Sequence, residues 1–132
     1  MKRIILDTNM LLVPSQWKVD IFSELERICF FPFEVATIGQ AIMELNRILN
    51  SGKGKPHREA ALALAMIKRK NIKQLPSPPA LDADSSLLAL GKEKDTIIAT
   101  QDQELKRMLK RQGTPVITLR AKKYLIMVNA PW

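Results

Sequence analysis

The chain has 132 residues, of which 46% are hydrophobic and 26% charged, and its 21 Lys plus Arg outweigh 13 Asp plus Glu to give a net charge of +8. That length suits one domain of ordinary size, 1–132, and that composition suits a chain that buries a core, which excludes wholesale disorder. Its longest nearly apolar stretch, 60–67, is too short for a membrane helix, Asp7 interrupts the opening run before it could serve as a signal, and the single Cys29 builds neither an intrachain disulfide nor a cysteine-rich zinc site.

The elements follow in chain order. Ile4-Ile5-Leu6 is the continuous apolar run of a strand over 2–6 buried on both faces, and it ends at the turn-compatible Asp7-Thr8-Asn9. Apolar residues at helical spacing predict a helix over 19–28, followed by a strand over 33–37 after Pro32. Ile38, Ala41, Ile42, Leu45, Ile48 and Leu49 form one face of a helix that stops at Asn50-Ser51-Gly52, and Gly52-Lys53-Gly54-Lys55-Pro56 reads as a flexible basic loop. An alanine-rich helix covers roughly 58–70. A short strand over 72–75 is ended by Pro76, Pro78 and Pro79. A helix over 83–92, a β-branched strand over 96–100, a helix over 102–111 and a last strand over 116–119 complete the pattern. Strands that alternate with helices require crossovers, so the expected fold is α/β, a three-layer α/β/α domain around a mainly parallel sheet of about five strands. Ligands bind such sheets at the carboxyl ends of the strands.

The positive charge is unevenly spread. Residues 47–73 carry eight basic side chains and one acid, Glu59, and 103–132 carry seven and one, Glu104. This asymmetry points to a polyanionic partner, against the alternative of an ordinary solvated surface. Lys53, Lys55 and Arg58 are the candidates for holding phosphates; His57 beside them reads as a surface residue. With 5% aromatics and no basic-aromatic stripe, base stacking is not a feature of this sequence.

Four carboxylates fall where chemistry is expected. Asp7 follows the first strand, where it could also cap a turn or helix. Glu44 lies about 100° from the centre of its helix's apolar face, bordering the core. Asp84 shares a face with Leu87, Leu88 and Gly91, and serves either as a helix cap, with Asp82 competing, or as a ligand. Asp102 follows the strand 96–100; Thr100 and Gln103 fit a capping box that would leave Asp102 free. Four converging carboxylates repel one another unless cations lie between them, and oxygen-only donors suit Mg²⁺ or Mn²⁺. An acidic metal pocket with a basic rim is the arrangement of a phosphodiesterase.

Asp7-Thr8-Asn9, Glu44 in Ala41-Ile42-Met43-Glu44-Leu45, Asp84 in Ala83-Asp84-Ser85-Ser86-Leu87-Leu88-Ala89, and Asp102 in Ala99-Thr100-Gln101-Asp102-Gln103-Glu104-Leu105-Lys106 resemble, in order and spacing, the successive motifs of the PIN domain ribonucleases. The tail Pro115-Val116-Ile117-Thr118-Leu119-Arg120 is similar to the closing strand of the subgroup that includes VapC-type toxins and the PIN nucleases of ribosome processing. Two positions depart from the pattern, Ser85 where that second group often repeats Asp and Gln101 where many members carry Asn. The resemblance implies that Asp7, Glu44, Asp84 and Asp102 ligate one or two divalent metals, with Thr8, Asn9 and Thr100 as accessory polar groups. It also implies an endoribonuclease acting on single-stranded RNA through an activated water, with an antitoxin or a ribosome-assembly partner; the single Cys29 and the lack of a signal or membrane segment make a reducing cytoplasm the expected compartment. Trp17, Ile21 and Phe22 offer a homodimer or antitoxin surface, unless Ile21 and Phe22 belong to the core, as their spacing suggests.

Other enzyme classes lack their residues. A single histidine excludes a two-histidine ribonuclease, and no P-loop or G-x-S-x-G elbow is present. Position 9 is Asn where a haloacid-dehalogenase-type phosphatase needs a second Asp, and Arg120 stands where a receiver domain would show lysine. The alternative from another class is a non-catalytic RNA-binding or assembly module on the same fold.

Overall fold

A computed structural model describes residues 1–77 and 81–130, which form six strands and seven helices. The strands are β1 (Lys2–Leu6), β2 (Phe33–Ile38), β3 (Lys73–Leu75), β4 (Thr96–Ala99), β5 (Val116–Arg120) and β6 (Tyr124–Val128). The helices are α1 (Thr8–Leu11), α2 (Val13–Trp17), α3 (Ile21–Ile28), α4 (Gly39–Ser51), α5 (Lys55–Arg69), α6 (Ala83–Gly91) and α7 (Gln103–Arg111). Pro76 follows β3 directly, whereas Pro78 and Pro79 lie outside the described residues.

One sheet runs in the order β3-β2-β1-β4-β5-β6, parallel throughout except for the antiparallel β5–β6 pair. Ile4, Ile5 and Leu6 in β1, and Ile97, Ile98 and Ala99 in β4, are fully buried, as central parallel strands require. The chain adds β2 and β3 on one side of β1, then crosses back to add β4 and β5 on the other. Right-handed crossovers in opposite directions put helices on opposite faces, and the helix contacts divide accordingly: α1, α2, α4 and α5 pack among themselves, and α6 packs on α7. The strand order therefore reverses beside β1, between β1 and β4, which opens a crevice at their carboxyl ends.

Four features differ from the sequence expectation. The sheet has six strands rather than about five, because a hairpin after β5 adds β6. The turn 120–123 has Ala121 and Lys122 at φ of +55° each, and Lys123 N–H donates to the Arg120 carbonyl. A turn with two left-handed central residues is normally marked by Asn-Gly or Asp-Gly, and this one carries neither mark. Helices α1 and α2, of four and five residues, are too short to show a period. Helix α5 starts at Lys55 instead of 58, since Pro56 fits a first helical turn, where no N–H is needed. Lys55, His57 and Arg58 thus belong to that helix, and of the three basic candidates only Lys53 remains in the loop. Finally, α7 starts at Gln103 with Asp102 as its cap, so the Thr100–Gln103 capping box does not form.

Candidate active site

Asp7, Thr8, Asn9, Glu44, Asp84 and Asp102 line one cleft of about 220 Å³, with Leu12, Ala83 and Leu87 as its apolar wall. The cleft sits at the crevice between β1 and β4, with α4 and α6 supplying Glu44 and Asp84.

Asp7 is buried at the end of β1. One carboxylate oxygen accepts from the Met10 N–H at 3.0 Å and caps α1, while the other accepts a short hydrogen bond from the Thr100 hydroxyl. It is therefore both the cap and the cleft residue that the sequence left as alternatives. Burial, and then the charges of Asp102 and Asp84, push its pKa up to about 7 against the opposing hydrogen bonds from Thr100 and Met10. Asp84 is also raised, first by desolvation and then by Asp102, Asp82, Glu104 and Glu44. Asp82 takes the cap of α6, accepting from Ser85 N–H at 2.7 Å, which releases Asp84 from that duty. Asp102 accepts from Leu105 N–H at 3.0 Å through one oxygen; its other oxygen has no hydrogen bond among the described residues.

The polar residues between them hold this geometry. Thr8 donates to Glu44 at 3.1 Å and so ties α1 to α4. Asn9 accepts from the Gln101 N–H at 2.9 Å, Gln101 returns a bond to the Asn9 carbonyl at 3.2 Å, and the Asn9 amide approaches the Thr100 hydroxyl at 3.5 Å. The Thr100 oxygen also accepts from Asp102 N–H at 3.1 Å. Because Asp7 and Asp102 both occupy this hydroxyl, it has no part in capping α7 as a box residue.

Sequence reasoning missed Thr37, Gln40 and the two serines that Gln40 bonds, Ser77 and Ser86. Thr37, with no exposed surface, donates to the Leu6 carbonyl at 2.6 Å and pins the strand end that carries Asp7. Gln40 donates to Ser86 at 2.9 Å and accepts a short bond from Ser77, which links α4 to α6 behind Glu44 and Asp84. Their only signal was a polar residue inside an apolar pattern. Lys53, Lys55 and Arg58 are exposed and do not line the cleft. Lys53 lies in the α4–α5 turn and Lys55 and Arg58 in the first turn of α5, where His57 Nδ1 lies 2.8 Å from the Leu49 carbonyl near the end of α4. Ile21 is core and Phe22 half-buried, while Trp17 is 40% exposed beneath Lys122, whose Nζ lies 4.5 Å from the ring centroid.

None of the four carboxylates has an ion-pair partner among the described residues. The cleft thus gathers hard oxygen donors without a counter-charge of its own; burial first, and the neighbouring carboxylates second, raise Asp7 and Asp84. A divalent cation fits such a donor set. As the side chains stand, no three Asp, Glu, His or Cys among the described residues form a group that could hold an ion. Mg²⁺ usually binds through one or two carboxylates and keeps several waters, which suits oxygen donors spread around one cleft.

The model for the PIN-like domain matches residues 4–122. The chain is 37% identical over 125 residues to ribonuclease VapC4 of Methanocaldococcus jannaschii, spanning 94% of this chain and 95% of that protein. It is 29% identical over 119 residues to ribonuclease VapC9 of Archaeoglobus fulgidus, spanning 90% and 84%. Among solved structures, the PIN domain endonuclease Utp24 superposes with a TM-score of 0.79 at 21% identity over 97% of this chain and 92% of that one. A domain of a functionally unknown protein from Methanocaldococcus jannaschii gives 0.60 at 18% over 92% and 93%. The structural likenesses show a shared fold, and with the family match and the relative at 37% identity they establish that this chain belongs to the PIN-like domain family.

Proposed function

We propose that this chain, read as one PIN-like domain over 1–132, is a divalent-metal-dependent endoribonuclease that hydrolyses phosphodiester bonds of single-stranded RNA. The observation that carries the reading is the meeting of Asp7, Glu44, Asp84 and Asp102 around one cleft that lacks its own counter-charge. Support comes from two relatives over at least 90% of the chain that bear the name ribonuclease. The four carboxylates would hold one or two Mg²⁺ or Mn²⁺ ions. A bound ion of this kind supplies Lewis-acid polarisation of the phosphate and lowers the pKa of an attacking water, so no side-chain general base is needed.

The rest is the work of the chain's own groups. Thr100 and the Met10 N–H orient the Asp7 carboxylate, Thr8 steadies Glu44, and Asn9 fixes the loop that carries Thr100 and Asp102. Lys53, Lys55 and Arg58 hold RNA phosphates away from the cut. The likeness to two VapC ribonucleases favours a VapC-type toxin, with an antitoxin as partner, over a ribosome-processing nuclease with an assembly partner; Trp17 is the exposed aromatic available to an antitoxin or a second copy. No described helix is long and apolar enough to cross a membrane, and a cytoplasmic location suits the single buried thiol, Cys29.

A circular single-stranded RNA tests the reading, because it has no ends for an exonuclease. Linearisation in Mg²⁺ or Mn²⁺, giving a 5′-phosphate and a 3′-hydroxyl, and its loss in EDTA or in Asp7→Asn are the expected results. A circle that is bound but left intact in either metal would instead make the chain a non-catalytic RNA-binding module.

A further inference from the structure

We propose that the groove between α7 and the β5–β6 hairpin is a phosphate-binding channel that holds the backbone of single-stranded RNA where it leaves the carboxylate cleft. The groove has a volume of about 260 Å³, and its polar lining is Gln103, Lys106, Arg107, Lys110, Thr118 and Arg120. Four of these are cations and none is an acid. Residues 103, 106, 107 and 110 recur at three and four positions and so share one face of α7, while Arg120 closes the far wall from the end of β5. No ion pair neutralises any of the four among the described residues. Like charges gathered in a groove without counter-charge form a site for a polyanion.

One of the cations is fixed in place. Lys106 is half-buried and donates to the Thr118 hydroxyl at 3.1 Å. Burial, then the neighbouring Lys110 and Arg120, hold its ammonium below the usual lysine range, a cost that a bound phosphate would relieve.

Continuity with the cleft decides which anion. Asp102 lines the cleft and caps α7, and the next residue, Gln103, lines the groove. Along the helix, Lys106 and Lys110 stand roughly 6 Å and 12 Å beyond Asp102. Cations one turn apart, leading away from a cleft that cuts a phosphodiester, match the successive phosphates of one strand better than a lone small anion. This direction rests on the ribonuclease reading; the binding itself does not. The channel also lies on different elements from the α4–α5 turn with Lys53, Lys55 and Arg58, which leaves the cleft between two basic flanks.

The test uses the full chain and a labelled 20-nucleotide single-stranded RNA. Binding is followed by fluorescence anisotropy in EDTA across a salt series, and cleavage by steady-state kinetics in Mn²⁺. Lys110→Ala/Arg120→Ala, both exposed positions, should weaken binding about 10-fold and flatten the plot of log affinity against log salt by about 1.4, the loss of two phosphate contacts. KM should rise by a similar factor with kcat unchanged, and Lys110→Arg should keep wild-type affinity. Equal thermal midpoints confirm that the fold is intact; if the double variant unfolds, the salt slope of Lys110→Ala alone, flattened by about 0.7, decides. Unchanged affinity and slope in the alanine variants, or a wild type that does not bind the strand, would overturn the channel. Loss of binding in a protein that never cleaves would support the channel and sink the ribonuclease reading, whereas cleavage with unaltered groove variants would do the reverse.

Discussion

At Asp7, function and stability oppose each other. In an unfolded chain its carboxyl titrates near 3.8, and in the fold near 7, so the native state holds the proton more tightly. The resulting stabilisation is complete below about pH 4 and is lost as the pH rises through 7. Asp7→Asn removes that titration while keeping a side chain able to meet Met10 and Thr100. In EDTA at pH 8 the variant should therefore be more stable than wild type by about 1–3 kcal/mol, with the gap closing toward pH 4, even though cleavage is lost. Thermal unfolding of both proteins across pH checks the sign; a variant less stable at pH 8 would contradict the account. Thr100→Val should cost about 1–3 kcal/mol and slow cleavage at least 10-fold, because it strips a partner from both Asp7 and the Asp102 N–H, and Thr100→Ser should restore most of both. The acids themselves were legible in the sequence, since Asp7, Asp84 and Asp102 follow a strand or open a helix and Glu44 borders the apolar face of α4. Thr37, Gln40 and Ser86 were not, because their roles exist only in hydrogen bonds between elements distant in the chain.

Among the elements, the periodic ones were readable and the short ones were not. The apolar runs of β1 and β4 and the apolar face of α4 declare themselves through burial on two faces or one. By contrast, β6 hides behind a turn whose residues lack the usual signature, and α7 begins two residues later than the strand-end hydroxyl suggested. That turn makes a prediction of its own. Ala121 sits at φ +55°, where a Cβ is disfavoured, so Ala121→Gly should stabilise the protein by about 0.5–1 kcal/mol in denaturant unfolding without altering cleavage. Likewise, Asp82→Ala removes the cap of α6 and should lower the thermal midpoint. Since Asp84 lies two residues on, the same change should weaken the response to metal, measured as the rise in thermal midpoint on adding Mn²⁺.

Across the whole molecule, topology and charge converge on the same crevice. The reversal of strand order beside β1 brings Asp7 and Asp102 together from positions 95 residues apart, and α4 and α6 add one acid each from opposite faces of the sheet. Around this negative cleft the chain carries a surplus of +8, part of it at the α4–α5 turn and part along α7. The sequence showed both basic segments but not the distances separating them from the acids, which depend on how α4 and α7 are anchored. On the proposed reading, cleavage of RNA requires these four acids together with a divalent cation that they would hold. The most direct test of this requirement is the rate of cleavage of a labelled single strand against Mn²⁺ concentration, for wild type and for Asp84→Asn, with EDTA as the zero point. The account predicts saturable cleavage in wild type, none in EDTA, and a variant slower by about 100-fold or more at every concentration. Cleavage that persists in EDTA, or an Asp84→Asn curve that superposes on wild type, would contradict it.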